Sequence, residues 1–180
     1  VGAGASINSF ADVTITDTRI AGNTIDPPTP LVANANYRGA GLNIADAKSV
    51  TIERTEIAQN ASDRNGGFRV TQNLVTSLPA TIINSTLSGN IAISPPAGAG
   101  TVIGVSGNVA LQIYNSTIAN NVTLAAAAVG INVSVSSGFT PTLTLQSSIV
   151  SNPTLAADIG LDPTVPSLVV NANRSLIRIP

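Results

Sequence analysis

Nine carboxylates and eight basic side chains are the strongly ionised groups of this 180-residue chain, and neither histidine nor cysteine accompanies them. Without histidine the chain lacks the commonest general base and metal ligand. Without cysteine it lacks thiolate nucleophiles, thiolate metal sites and disulfides. Carboxylates alone can do acid–base or metal chemistry, but only when they are brought together. Here they are Asp12, Asp17, Asp26, Asp46, Glu53, Glu56, Asp63, Asp158 and Asp162. No two are adjacent, and none falls between Asp63 and Asp158. No catalytic, cofactor-binding or metal-binding set emerges, and the chain is not expected to be an enzyme. Net charge is −1 and Lys48 is the sole lysine, so no basic stripe exists for a nucleic-acid backbone.

The residues that do recur at fixed spacing are asparagines. Residues 13–23 read VTITDTRIAGN, 50–60 VTIERTEIAQN, 80–90 ATIINSTLSGN, 111–121 LQIYNSTIANN, and a looser copy at 143–152 reads LTLQSSIVSN. Each phrase ends on an asparagine: Asn23, Asn60, Asn90, Asn121 and Asn152. A period of roughly 30 residues built from short β-branched runs is the signature of stacked repeats. Asparagines stacked at one corner can bond amide to amide and satisfy the corner's backbone groups. Six Asn-x-Ser/Thr acceptor patterns, at Asn60, Asn84, Asn115, Asn121, Asn132 and Asn173, allow glycan attachment as the rival use.

Those asparagines need elements to position them. Within each phrase apolar and polar residues alternate, so Val13 and Ile15 point inward and Thr14 and Thr16 outward. The central apolar residues Ile15, Ile52, Ile82, Ile113 and Leu145 form a core ladder. Upstream, a glycine stands three residues before an apolar residue at Gly4, Gly41, Gly67 and Gly130. Each repeat thus supplies three short strands, and parallel stacking of such coils gives an all-β, right-handed parallel β-helix of about 5–6 coils in one domain, 1–180. Segments 24–37, 61–65 and 91–100 vary in length and carry Pro27, Pro28, Pro30, Pro95 and Pro96, so they are expected to be loops on one edge.

Stacking the first coil on the second sets Arg19 against Glu56, Asp17 against Arg54 and Thr16 against Glu53. Opposite charges one rung apart fix which coil stacks on which. Thr14, Thr51, Thr81 and Thr144 share an outward rank, but Gln112 interrupts it and the next rank (Thr16, Glu53, Ile83, Tyr114, Gln146) is irregular, which argues against ice binding. Of the five aromatics, Phe68 is expected in the core, and Tyr37 and Tyr114 are the candidate ligand contacts.

Hydrophobic residues make up 43% of the chain, aromatics 3% and charged residues 9%, well below the roughly 25% charged of ordinary soluble domains. Asn, Ser and Thr must cover the surface, which fits an extracellular protein. The opening VGAGAS shows no signal-peptide pattern, and the chain reads as a piece of something longer. Asn-Ser-Thr-Ile/Leu-x-x-Asn after an alternating strand, about every 30 residues, resembles the parallel β-helix repeats of bacterial surface proteins, including polymorphic outer-membrane proteins and autotransporter-like passengers. SSIVSN followed by LVVNANRSLI is similar to the closing segment of choice-of-anchor Q proteins. The glycine-rich entry is thinner here than in that group, and no anchor tail or barrel domain is expected within these 180 residues. The resemblance implies a structural or adhesive body at the cell surface: a rigid spacer or self-assembling filament displaying edge loops, partnered by itself or by surface glycans and proteins. The alternative is a carbohydrate-binding or carbohydrate-processing β-helix. β-Helical lyases and galacturonases use clustered acids, however, and this chain lacks their Asp-Asp and Asn-Thr-Asp signatures.

Overall fold

The computed structural model describes residues 4–25, 39–93, 101–123, 129–134, 139–152, 157–161 and 169–177. The described secondary structure is all β, in parallel sheets, and the chain winds as a parallel β-solenoid. An entry sheet takes Ala5–Asn8, Leu42–Ala45, Asn65–Gln72, Thr101–Gly107, Val129–Ser134 and Ala157–Leu161. A middle sheet takes Asp12–Thr16, Ser49–Glu53, Leu78–Ile83, Val109–Tyr114, Thr142–Gln146 and Val169–Asn173. An exit sheet takes Arg19–Ala21, Glu56–Ala58, Thr86–Ser88, Thr117–Ala119, Ile149–Ser151 and Leu176–Ile177. Neighbours within a sheet come from successive passages of the chain, so no strand is paired with the one that precedes it in sequence.

Alternation determines what each strand buries. On the middle sheet Ile15 pairs with Ile52, Ile52 with Ile82, Ile82 with Ile113 and Ile113 with Leu145. Ile52, Ile113 and Leu145 are fully buried and Ile82 nearly so, whereas Ile15, in the first strand, is half-buried against the same core. The entry sheet adds the column Ile7–Ile44–Val70–Val105–Val133, and the exit sheet adds Ile20–Ile57–Leu87–Ile118–Val150–Ile177. Three apolar columns therefore face one another inside the solenoid. Each fully buried aliphatic side chain contributes about 1.5–3 kcal/mol. Phe68 replaces Leu42 in register and is fully buried, because the column there faces inward.

The sequence reading counted five to six uniform coils of three strands with a loop at 61–65. The structure instead has three six-stranded sheets and a fourth sheet of three strands, Ala61–Ser62, Ile91–Ala92 and Val122–Thr123. The segments after Asn60, Asn90 and Asn121 thus begin as strands. A two-residue run carries no visible alternation, so it reads as loop in the sequence. Asn65 likewise opens a strand of eight residues. Within 24–37, Thr24 bridges to Ala61 and the part from 26 lies outside the described residues. Residues 94–100 and the Ala-rich 124–128 lie outside them too.

Ile82 has 1% of its surface exposed, so a carboxylate there would be buried without a partner. Ile82→Asp is expected to cost more than about 4 kcal/mol and abolish the cooperative thermal transition. A melting temperature close to that of the parent chain would contradict the register.

Candidate functional site

The most ordered polar constellation is the inner asparagine ladder. Each of the first four rungs turns its corner on one residue with φ near +60°: Gly22, Gln59, Gly89 and Asn120, at 70°, 56°, 62° and 56°. The next residue is the ladder asparagine, whose side chain therefore turns inward. Asn60 Oδ1 accepts the Asn23 backbone N–H at 3.0 Å and Asn23 Nδ2 at 2.8 Å. The same double bond joins Asn60 to Asn90 (3.1 and 3.0 Å), Asn90 to Asn121 (2.9 and 3.0 Å) and Asn121 to Asn152 (3.0 and 2.9 Å). The second amide hydrogen goes back one passage: Asn60 Nδ2 donates to Ile20 O, Asn90 to Ile57 O and Asn121 to Leu87 O, at 2.9, 2.9 and 3.0 Å. Asn60, Asn90, Asn121 and Asn152 are fully buried. A buried carboxamide left unpaired would cost stability; here both its donors and its acceptor are used.

The ladder ends on a residue that the sequence reading did not single out. Asn152 donates its backbone N–H to Asp158 Oδ1 at 2.8 Å and its side-chain amide to the same oxygen at 3.3 Å. Asp158 is fully buried and sits beside Gly130, between the registered pairs Val129–Ala157 and Ile131–Ile159. It occupies the glycine column, where its side chain fills the room that glycine leaves open. That room is needed further up. A Cβ on Gly41 would lie 2.4 Å from Gly67 O and 2.9 Å from Asn60 Nδ2. On Gly130 it would lie 2.7 Å from both Asn152 Nδ2 and Asp158 O. The glycine three residues before the apolar position is thus the partner of the asparagine amide in the same coil.

A second ladder, also missed, lies at the corner between middle and exit sheets. Its corner residues are Asp17, Arg54, Asn84, Asn115, Ser147 and Arg174, with φ of 52°, 47°, 50°, 48°, 51° and 49°. A serine or threonine follows each. Thr55 N–H donates to Ser85 Oγ at 3.1 Å, Ser85 to Ser116 at 3.1 Å, Ser116 to Ser148 at 3.3 Å and Ser148 to Ser175 at 3.2 Å. The Ser85, Ser116 and Ser148 hydroxyls donate to the carbonyl two residues back, at 2.8, 2.7 and 2.9 Å. The signal was present in the sequence as a Ser or Thr after every D, R, N or S that closes the alternating strand. The acceptor-sequon pattern masked it, because Asn-Ser-Thr is what this corner looks like when its left-handed residue is asparagine.

Arg54 grips Asp17 with two bonds, Nε to Oδ1 at 2.7 Å and Nη2 to Oδ2 at 2.8 Å, and its Nη1 also bonds Glu53. Arg19 Nε lies 2.7 Å from Glu56 Oε2. The hydrogen bond from Arg54 holds the Asp17 carboxyl below its ordinary range, and the same bond raises Arg54. Both pairs are solvent-exposed and screened, so they set register more than they stabilise. Other acids are engaged as well: Asp12 accepts from Ser49 at 2.7 Å, and Asp46 accepts from Asn73 at 2.9 Å. Among the described residues no group of three or more acids could hold a metal ion, and no helix is long and apolar enough to cross a membrane.

Of the two candidate ligand contacts, Tyr37 lies outside the described residues. Tyr114 is half-buried on the outward face of the middle sheet, in register with Ile83 and Gln146. Among the described residues the structure pairs no acid in register with Tyr114. It also separates the acceptor asparagines: Asn60 and Asn121 are locked in the ladder, while Asn84 and Asn115 are exposed at the serine corner.

Asn90→Ala removes the acceptor for two Asn60 donors and the donor to Ile57 O and Asn121, and should cost about 3–5 kcal/mol in urea unfolding. Asn23→Ala, at a half-buried position, should cost markedly less. Equal costs at both sites would contradict a buried, cooperative ladder. The Asp17 shift has a sign that can be checked. A carboxyl whose folded pKa is depressed adds stability above its unfolded pKa of about 4, and that stability is lost as pH falls through the folded value. Arg54→Ala should therefore flatten the acid limb of melting temperature against pH below about pH 4, most visibly at low salt. An unchanged limb would contradict the pairing.

No family model matches the chain, and no curated protein or solved structure matches it either, so the solenoid is read from this chain's own residues and registers.

Proposed function

We propose that the chain is the body of an extracellular, right-handed parallel β-helix of bacterial surface type, serving as a rigid spacer or self-assembling filament that displays edge loops. The observation that carries this reading is where the polar chemistry goes. The buried ladder asparagines use their amides on neighbouring rungs, and five of the described acids pair with a residue from a neighbouring passage. Side chains spent on stacking are what a mechanical element requires. A right-handed winding agrees with the strong preference of parallel crossovers.

Two further observations support display and self-association. Both long insertions begin directly after residues anchored in the short sheet: Ile25 N–H donates to Ala61 O and Ile93 N–H to Ser62 O, each at 2.8 Å. Ile25 and Ile93, the last described residues before 26–38 and 94–100, therefore lie on the same side of the stack. In each large sheet the outermost described strands pair on one side only, among the described residues. Open parallel edges are templates for adding another strand. A second copy, or a surface glycan or protein held by the loops, is the partner this reading names.

Sedimentation with negative-stain imaging at rising concentration tests it. The expected result is a concentration-dependent series of rods lengthening in steps of one chain. A monomer that persists across the whole range would remove the filament half of the proposal.

A further inference from the structure

The outward face of the middle sheet changes character along the stack. Its first two strands present Asp12 and Glu53 among threonines and a serine. From Leu78–Ile83 onward, its described outward positions carry no side chain ionised at neutral pH. At the corner-side end of its strand on this uncharged area stands Tyr114, the only aromatic among its described outward residues. Gln112, two residues before Tyr114 on the same face, accepts a hydrogen bond from Thr81 Oγ1 at 3.4 Å through Oε1. That bond fixes which way the amide points and leaves its NH2 without a partner among the described residues. Gln146, exposed and registered with Tyr114, has no side-chain hydrogen bond among them either. A shallow recess of about 530 Å³ continues from Thr144 and Gln146 over Asn171 and Asn173.

We propose that this face, around Tyr114, binds an uncharged oligosaccharide. The Tyr114 ring offers a flat apolar platform with a polar tip, the surface on which the C–H face of a sugar stacks. The NH2 of Gln112 and the whole carboxamide of Gln146 flank the ring with groups suited to sugar hydroxyls. The rungs repeat about every 4.8 Å, so a glycan lying across the strands meets a polar side chain at each step of the rank Thr81, Gln112, Thr144 and Asn171, and Gln146 and Asn173 beyond the Tyr114 ring. The absence of ionised groups selects the chemistry. A uronate or sulfated chain would lose its hydration here without finding a counter-charge on the described outward strand positions; Arg174 stands at the corner after Asn173. The site rests on the reading of the stack as a rigid display scaffold and adds a flat binding face to its loops.

The test titrates the full chain with cello-, xylo-, manno- and chito-oligosaccharides, with an oligogalacturonate as the charged comparator, by calorimetry and saturation-transfer NMR. At least one neutral series should bind. Tyr114→Ala and Gln146→Ala should each weaken it about tenfold or more, while Tyr114→Phe, which keeps the ring, retains most of the affinity. Both side chains point outward, so the melting temperature of each of the three variants should stay close to the parent value, separating a failed site from a failed scaffold. Absence of neutral binding at millimolar concentration, binding of the oligogalacturonate alone, or affinity unchanged in Tyr114→Ala would each overturn the proposal.

Discussion

A carboxamide buried away from water must find partners for two hydrogens and an oxygen, and the rest of this fold follows from meeting that demand four times in a column. The solution is a parallel stack in which the oxygen of one asparagine receives both the backbone and the side-chain N–H of the asparagine before it. Such a bond cannot form between strands of the wrong register, because the side chain and the backbone of one residue must reach the same atom. The ladder is therefore a register gauge as well as a source of stability. Its far end confirms the logic. Where the descending chain offers Asp158 instead of another asparagine, the carboxylate accepts the same two bonds and can donate none onward.

The corners and glycines are consequences. A coil this tight must reverse direction on one residue, which forces a left-handed backbone at the position before each of the first four ladder asparagines and before each serine or threonine of the second ladder. Non-glycine residues there cost about 1–2 kcal/mol each, least for Asn and Asp, which accounts for Asn84, Asn115, Asn120 and Asp17. Gly41 and Gly130 are glycine for a different reason: the asparagine amide and the neighbouring strand's carbonyl occupy the space a side chain would need. The apolar columns then fill what remains. Their residues are small and branched because the inner width is set by the ladders rather than by the side chains.

The parts of this design that repeat were legible in the sequence. The interval between asparagines gave the stacking direction, and alternation around Ile52, Ile82 and Ile113 gave the inward face. Arg19 and Glu56, like Asp17 and Arg54, could be paired by counting once the copies were aligned. Features without a period were not legible. The short sheet at Ala61, Ile91 and Val122 is two residues deep and shows no alternation. Asp158 lies six residues after Asn152 rather than a full repeat away, so no alignment of copies would find it. Ser148 stands one residue closer to its asparagine than Ser116 does, which blurred the second ladder. The candidate ligand face was legible in part: Tyr114 and Gln146 fall in one outward rank once the copies are aligned, and Gln112 interrupts the threonine rank beside them, but the bond from Thr81 to Gln112 is a feature of the folded register alone.

The measurement closest to the central claim is hydrogen exchange of the asparagine side-chain amides, followed by NMR in the intact chain. The account predicts that the Nδ2 protons of Asn60, Asn90 and Asn121 exchange as slowly as core backbone amides, whereas those of exposed Asn84 and Asn115 exchange at the rate of free carboxamides. Fast exchange at Asn90 and Asn121, at the same rate as at Asn84, would contradict the ladder as the interaction on which the stack depends.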